Sequence, residues 1–471
     1  MQIIKRAGVA AAVCLAAGCV SLFEAREAQR AVAARSSDSG DGSGGTERVN
    51  LIGYDLAALV DFALTNRPSM TSSVLAVEDA RLALRETAAD APLLSTTPWT
   101  APNVSVSGGH SEASRSARFD RLKSRTEGRA SGALSLDVLL WDFGRNSARK
   151  TAQAERVIAA ELACVNEGYA VFGEVASAYF TTLEKDTLLE VARTNECEYA
   201  EHLRRAEREL EAGVGKQLDV LRARLDVATS RERTVSASNE VATAGAELMR
   251  ALGIELTRGD RDDVLARDTG ALDRLVVAFP VTACGAAEAF AFARTNAPAM
   301  RVRRAELRAA SAQVDAAMAD LYPSVSASLS LDWTDPLWLW RWGVSGAQSL
   351  LTGGRKMTAV DRAVVAMLKA DAALAEAEQS LSTSVALATA ERDNAHVAFA
   401  TACESVAAAR ENLDLVRRRF DLGEASAVDF TDAVADYVTA LGGRVSAYYR
   451  GQRAEAKLIE VLGLEPRYGV N

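Results

Sequence analysis

Residues 140–150 read LWDFGRNSARK and residues 350–360 read LLTGGRKMTAV. Leu140, Gly144 and Arg145 recur as Leu350, Gly354 and Arg355, an offset of 210. The offset persists without a gap. Arg208 and Gly213 match Arg418 and Gly423, Asp219 and Asp226 match Asp429 and Asp436, and Leu252–Gly253 match Leu462–Gly463. Upstream, ALTNRPSM at 63–70 matches ARTNAPAM at 293–300 with an offset of 230, so the first copy carries 20 extra residues. Segment 101–139 holds that insertion as the polar loop SEASRSARFDRLKSRTEGR. A chain written twice must fold as two copies of one unit.

Each copy has the same internal order. A helical stretch comes first, at 54–90 and 285–321, followed by a boundary marked by Pro92, Pro98 and Pro102 or by Pro323. Two short alternating segments follow. Then a long helical stretch runs over 146–212 and 356–422, free of proline and nearly free of glycine. A turn at Gly213 or Gly423 ends it, and another helix runs to Gly253 or Gly463. Each long stretch has 67 residues. At 1.5 Å per residue it reaches ~100 Å, far beyond a globular helix. Val165, Tyr169, Phe172, Ala176, Tyr179 and Leu183 are spaced 4, 3, 4, 3, 4, and Leu218, Leu221, Leu225 and Ala228 continue at 3, 4, 3 after the turn. This is the spacing of knobs packing into holes, and it predicts a coiled-coil-like seam through both sets.

The short segments alternate with period two. In SVSASLSLDW, Val325, Ala327, Leu329 and Leu331 oppose Ser324, Ser326, Ser328 and Ser330. In ALSLDVLLW, Leu134, Leu136, Val138 and Leu140 alternate with Ser135, Asp137 and Leu139. In WLWRWGVSGAQ, Trp338, Trp340, Trp342 and Val344 oppose Leu339, Arg341, Gly343 and Ser345, and NVSVSGG supplies Val104 and Val106. Strands are expected at about 103–110, 131–141, 324–332 and 338–350. Trp99, Trp141, Trp333, Trp338, Trp340 and Trp342, all six tryptophans, lie in or beside these strands. Indole favours the headgroup level, and apolar-out, polar-in alternation with aromatic girdles marks a transmembrane β-barrel. A soluble sheet with an aromatic core is the competing expectation. Four strands cannot close a barrel, and an open sheet in lipid strands its edge N–H and C=O groups at several kcal/mol each. The chain must share a barrel with copies of itself: two would give eight strands filled by side chains, three would give twelve and a lumen.

The N-terminus reads as a targeting segment: Lys5 and Arg6, the apolar run AGVAAAVCLAA, then Gly18–Cys19. The run is too short to span a bilayer. LAAGC resembles a bacterial lipoprotein processing box with Cys19 as the lipid-modified residue, although Leu15 lies four residues before the cysteine rather than three. The expected organisation is a signal peptide at 1–18, a lipid anchor and Ser/Gly/Asp-rich tether at 19–50, a first repeat at 51–256, a linker at 257–282 (outside the helical assembly), a second repeat at 283–466 and a tail at 467–471. The remaining cysteines, Cys164, Cys197, Cys284 and Cys403, form no metal spacing, and the three histidines, at 110, 202 and 396, lie far apart. No phosphate loop, nucleophile site or acid–base pair emerges, so neither an enzyme nor a cofactor or metal is expected. A formal net charge of −9 argues against a nucleic-acid binder.

These residues resemble the TolC-like outer-membrane efflux proteins, in the lipoprotein branch. Two tandem repeats of helix, β-hairpin, long helix and helix match that family's plan over nearly all of 51–466. LYPSVSASLSL resembles its entry into a strand pair, LLTGGRK and LWDFGRN its strand-to-helix junction, and RRRFDLGEASAVDFTDA and RAERELEAGVGKQLDVLRAR its tip motif. The resemblance implies a mainly helical homotrimer whose twelve-stranded barrel in outer-membrane lipids continues as an α-helical barrel. It also implies a periplasmic adaptor and an inner-membrane pump or ABC transporter as partners, with the trimer as a passive duct for efflux or type I secretion. Gly213, Val214, Gly215 and Gly423 carry over as adaptor-contact turns, and Asp429 and Asp432 as aperture acids, joined by Asp219 and Arg222 as further candidates. The family's gate arginine falls on Ala425. Asp429 also fits a helix-start capping pattern with Ser426. Arg222 stands where the second repeat has Asp432, so the two could pair across neighbouring tips. The alternative is a lipid-anchored periplasmic coiled-coil scaffold or adaptor without a pore, which accounts for Cys19, the tether and the helices but not for the strands.

Overall fold

The computed structural model describes residues 56–89, 103–113, 127–213, 216–254, 285–334, 337–348, 353–422 and 424–464. All belong to one compact unit, Ile52–Asn471. Cys19, Trp99, Val214, Gly215 and Gly423, and the proposed anchor and linker segments, lie outside the described residues.

The first repeat supplies α1 (Leu56–Asn66), α2 (Pro68–Ala89), β1 (Asn103–Ala113), β2 (Glu127–Trp141), α3 (Arg145–Glu211) and α4 (Gln217–Leu252). The second supplies α5 (Ala286–Asn296), α6 (Pro298–Ala319), β3 (Ser324–Thr334), β4 (Leu337–Ala347), α7 (Arg355–Asp421) and α8 (Ala427–Leu462). One correction follows for the opening helical stretch of each repeat. It is broken once, before Pro68 and before Pro298. Proline clashes with an α-helical residue ahead of it, and Ala297 accordingly sits at ψ 127°.

The two long helices are each 67 residues, and their partners α4 and α8 are each 36. α3 packs on α4, and α7 packs on α8 in the same way; α2 packs on α3, and α6 on α7. The repeats join through α3, which also packs on α6 and α8. Ala-rich faces allow the close approach. Val175 and its equivalent Val385 are both fully buried, as are Ala63 and Ala293. Met300, Leu381, Leu458 and Leu462 complete the second repeat's core.

Both repeats end at a glycine in the left-handed region, Gly253 (φ 77°) and Gly463 (φ 65°). A Cβ on Gly463 would lie 2.6 Å from Cδ of Pro298, so the proline that breaks one helix abuts the glycine that ends another.

The seam through α3 and α4 also needs correcting. Phe172, Ala176 and Tyr179 of α3 are buried, but Val165, Leu218, Leu221 and Leu225 are exposed. In the tip half of α4 the residues that pack inward are Val220, Ala223 and Ser230, and the large buried side chains, Leu248, Met249 and Leu252, lie at its other end. Near the tip, α4 therefore leaves Leu218, Leu221 and Leu225 on a stripe that its own chain does not cover.

The strands form one antiparallel sheet in the order β1-β2-β3-β4. It is not closed: β1 and β4 are edges. β2 begins at Glu127, and β4 is a strand only to Ala347.

Candidate functional site

Cross-strand register decides what the sheet can face. Leu134 lies opposite Leu331, which lies opposite Trp340; Leu136, Leu329 and Trp342 form the next row, and Val138, Ala327 and Val344 the one after. Directly opposed residues share a face. One face is therefore apolar across β2, β3 and β4. The other carries Ser135, Ser330 and Arg341 in one row and Asp137, Ser328 and Gly343 in the next, with Leu139 and Leu339 as its apolar exceptions. Its polar groups bind one another. Ser105 and Ser135 hydroxyls lie 2.5 Å apart, Ser326 and Ser345 3.1 Å, and Arg341 donates to Asp332 at 2.6 Å.

The apolar face is uncovered within the chain. Trp338, Trp340 and Trp342 are 67, 66 and 72% exposed. Among the described residues no helix packs on them, so they form no aromatic core within one chain. Among the described residues no helix is long and apolar enough to cross a membrane.

Aromatics gather at both ends of this sheet. At the hairpin end, the rings of Trp333 and Trp338 are 6.1 Å apart. At the helix end, a β-bulge between Leu139 and Trp141 brings Trp141 opposite Val325, on the apolar face. Its ring meets Phe143 edge-on at 6.1 Å, and Phe143 stacks on Tyr322 at 5.7 Å. Val325 to Trp333 is eight residues, or ~26 Å along the strand, so the two aromatic groups stand at opposite ends of the apolar face. Trp340 and Trp342 lie progressively inward from the hairpin end. Phe143 and Tyr322, which the strand pattern did not single out, extend the aromatic group at the helix end.

Phe143 holds φ 54°, a value costly for a bulky residue, where the second repeat has Gly353 at φ 59°. Asp142 anchors the junction: the amides of Gly144, just before α3, and of Asn146 in its first turn donate to its carboxylate at 3.2 and 2.8 Å, the second satisfying one of the helix's free first-turn N–H groups.

The opposite end of the molecule is the helical tip. Gly213, at φ 78°, opens the turn between α3 and α4. Asp429 is the third residue of a capping box. Its amide donates to Ser426 Oγ (3.2 Å), while its carboxylate accepts from the Ser426 amide (3.0 Å) and hydroxyl (2.8 Å). Those bonds from Ser426 hold its carboxyl below the usual range. The cap is therefore fully present above the ordinary carboxylate range and is lost as pH falls through the lowered value. Ser426→Ala is expected to speed first-turn amide exchange in α8 about fivefold, measured by hydrogen-exchange mass spectrometry. Asp219 occupies the equivalent place in α4, but Lys216 offers no side-chain cap there. Asp432 and Arg222 are exposed, and no ion pair joins them within one chain.

Inside the tip, Tyr199 of α3 and Phe430 and Val434 of α8 form a small core with Val227, Leu413, Val416 and Phe420. Asp432 lies close enough to Asp226 to act on it. Burial pushes the Asp226 carboxyl up; His202 opposes the shift and Asp432 adds to it. No sequence pattern marks His202 as a partner of the two phenylalanines, because only packing brings it to them.

Known proteins share this plan of sheet and long helices. The sequence profile of the outer membrane efflux protein family matches residues 59–254 and 292–464. No curated protein matches the sequence. Among solved structures, the chain is similar to a membrane protein from Pseudomonas aeruginosa (21% identity, TM-score 0.72, covering 87% of this chain and 93% of that one). It is also similar to the Campylobacter jejuni CmeC outer membrane channel (16%, 0.73, 87% and 85%) and to the open state of the Neisseria gonorrhoeae MtrE outer membrane channel (20%, 0.71, 87% and 88%). At these identities the likeness is one of fold. The profile covers most of the chain, and the chain belongs to the outer membrane efflux protein family.

Proposed function

We propose that three copies close their sheets into one twelve-stranded barrel in the outer membrane, continued by a tube of their helices, as the passive exit duct of a tripartite efflux system. The observation that carries this is the sheet itself, with one continuous apolar face and two unpaired edge strands. Lipid would cover the face. A neighbour's β1 on β4 would satisfy the edges, which a bilayer does not allow to stay open.

The helices support the same assembly. α3 packs on α6 and α8 of the second repeat, whereas its equivalent α7 has no such partners within the chain. By the repeat, those partners would be α2 and α4 of the next copy. α7 exposes Val365, Leu368, Leu387, Val397 and Leu415, and α4 exposes Leu218, Leu221 and Leu225. The seam inside the chain is polar where the seam between copies would be apolar. Glu155 of α3 binds Arg308 at 2.8 Å and Thr187 meets Tyr449 at 3.4 Å; the equivalent residues of α7 are Val365 and Val397. Three copies rather than two leave a lumen, which the serine face would line.

Cys19 would carry the lipid anchor. The tip turns, Gly213–Gly215 and Gly423, would meet a periplasmic adaptor joined to an inner-membrane pump or ABC transporter. Asp432 and its symmetry mates would ring the mouth, Arg222 beside them, while Asp429 serves chiefly as a cap.

Detergent-extracted protein run unheated and boiled on SDS gels tests the assembly, and planar-bilayer recording tests the pore. A heat-sensitive trimer band and discrete conductance are expected. A water-soluble monomer after removal of the acylated segment, with no conductance, would instead mark a scaffold without a pore.

A further inference from the structure

His202 lies on α3 where all four tip helices converge. Its residue is 8% exposed, and Nδ1 is buried without a hydrogen-bond partner. The ring stacks on Phe430 at 5.4 Å (interplanar 14°) and lies 5.9 Å from Phe420; the two phenyl rings are themselves 5.3 Å apart. Phe420 closes α7 and Phe430 opens α8, so this one imidazole joins the α3–α4 pair to the α7–α8 pair. A neutral ring suits that site. A proton would place charge beside two phenyl groups with no acceptor on Nδ1, and a buried charge without a partner is costly.

We propose that His202 is a proton-operated pin: neutral, it holds the α7–α8 pair closed against α3–α4 at the tip, and protonation releases the pair and opens the mouth. This rests on the tip being the closable end of a duct. The surrounding charges are Arg205 and Glu209 on α3, Asp219 and Asp226 on α4, Asp432 on α8 beside Asp226, and Arg417 on α7, which is paired with Glu198 at 3.6 Å. The repeat makes the pin specific to one seam. At the offset of 210, His202, Phe420 and Phe430 correspond to Asn412, Leu210 and Val220, so the seam between copies has no titrating group at this place.

Burial, and secondarily Arg205, lower the His202 pKa from 6.5, against Asp226, Glu209 and Asp219. A group depressed in the closed form favours closure above its ordinary pKa, and that preference is lost progressively as pH falls below it. Asp226 has the opposite sign. Its half-buried charge burdens the closed tip at neutrality, and the burden lifts only as pH falls through a value raised from 3.8. The histidine therefore acts as pH falls below its ordinary value of about 6.5.

Full-length protein in planar bilayers, acidified on the tip side from about pH 7.5 to about pH 5.5, is expected to open on the order of tenfold more often. His202→Phe keeps a ring in the stack and cannot take a proton; it is expected to stay closed and insensitive to pH. Asp226→Asn should retain the response. Hydrogen exchange of α7 and α8 tip peptides, corrected for intrinsic rate, gives a second readout independent of conductance. Exchange should rise with acid in the wild type and not in His202→Phe. A wild-type pore indifferent to pH, or His202→Phe responding like the wild type, overturns the pin and leaves the duct standing. No conductance at any pH removes the duct, and exchange alone then decides whether the pin exists.

Discussion

Leu329→Arg is expected to abolish the heat-sensitive assembly, while Ser328→Arg, one residue away, preserves it. Leu329 sits mid-strand between Leu136 and Trp342 on the apolar face, and Ser328 faces the other way between Asp137 and Gly343. At the middle of a bilayer an arginine on the lipid side of a barrel costs about 2–4 kcal/mol, paid by every copy at once. On the lumen side it stays in water. Unheated gel migration of outer-membrane extracts reads the first effect. Bilayer recording reads the second, as a changed ion preference in an intact pore. Equal tolerance of both substitutions would mean that the sheet does not meet lipid, and would return the chain to the scaffold alternative.

The second large effect is expected far from the membrane, in the seam between the repeats. Arg453 of α8 donates to Glu184 of α3 at 2.5 Å, and their side chains are 27% and 10% exposed. Glu184→Ala leaves a mostly buried guanidinium without its partner, a loss of about 3–5 kcal/mol. The double variant Glu184→Leu/Arg453→Met fills the same space with apolar groups and is expected to recover most of that loss. Thermal unfolding of detergent-solubilised protein, followed by circular dichroism, compares the three. A single variant as stable as the wild type would show that Arg453 finds another partner or water, so that the pair does not join the repeats.

Much of the architecture was legible because it is periodic. The offset of 210 located both long helices and both tip turns, since equivalent backbone needs equivalent glycines and helix lengths. Period-two alternation exposed the strand faces: a pleated chain puts neighbours on opposite sides whatever else it does. Ser426 and Asp429 could be read as a cap because a capping box is local, closed within four residues. What failed to show was non-local. Leu218, Leu221 and Leu225 have the spacing of a buried seam, and spacing alone cannot distinguish a stripe covered by its own chain from one left bare. The break before Pro298 was readable from proline chemistry and was passed over in favour of one continuous stretch.

Two equivalent units, each with a pair of amphipathic strands and one very long helix, follow from local pattern alone, because repeat, alternation and helix period are properties of neighbours along the chain. Three-dimensional packing was needed to pair β2 with β3 and join the hairpins into one sheet, to turn Trp141 onto the apolar face through a bulge, and to bring His202 to Phe420 and Phe430. Those contacts link residues up to some two hundred positions apart. They are selected by the packing of whole helices and strands, which no local pattern encodes.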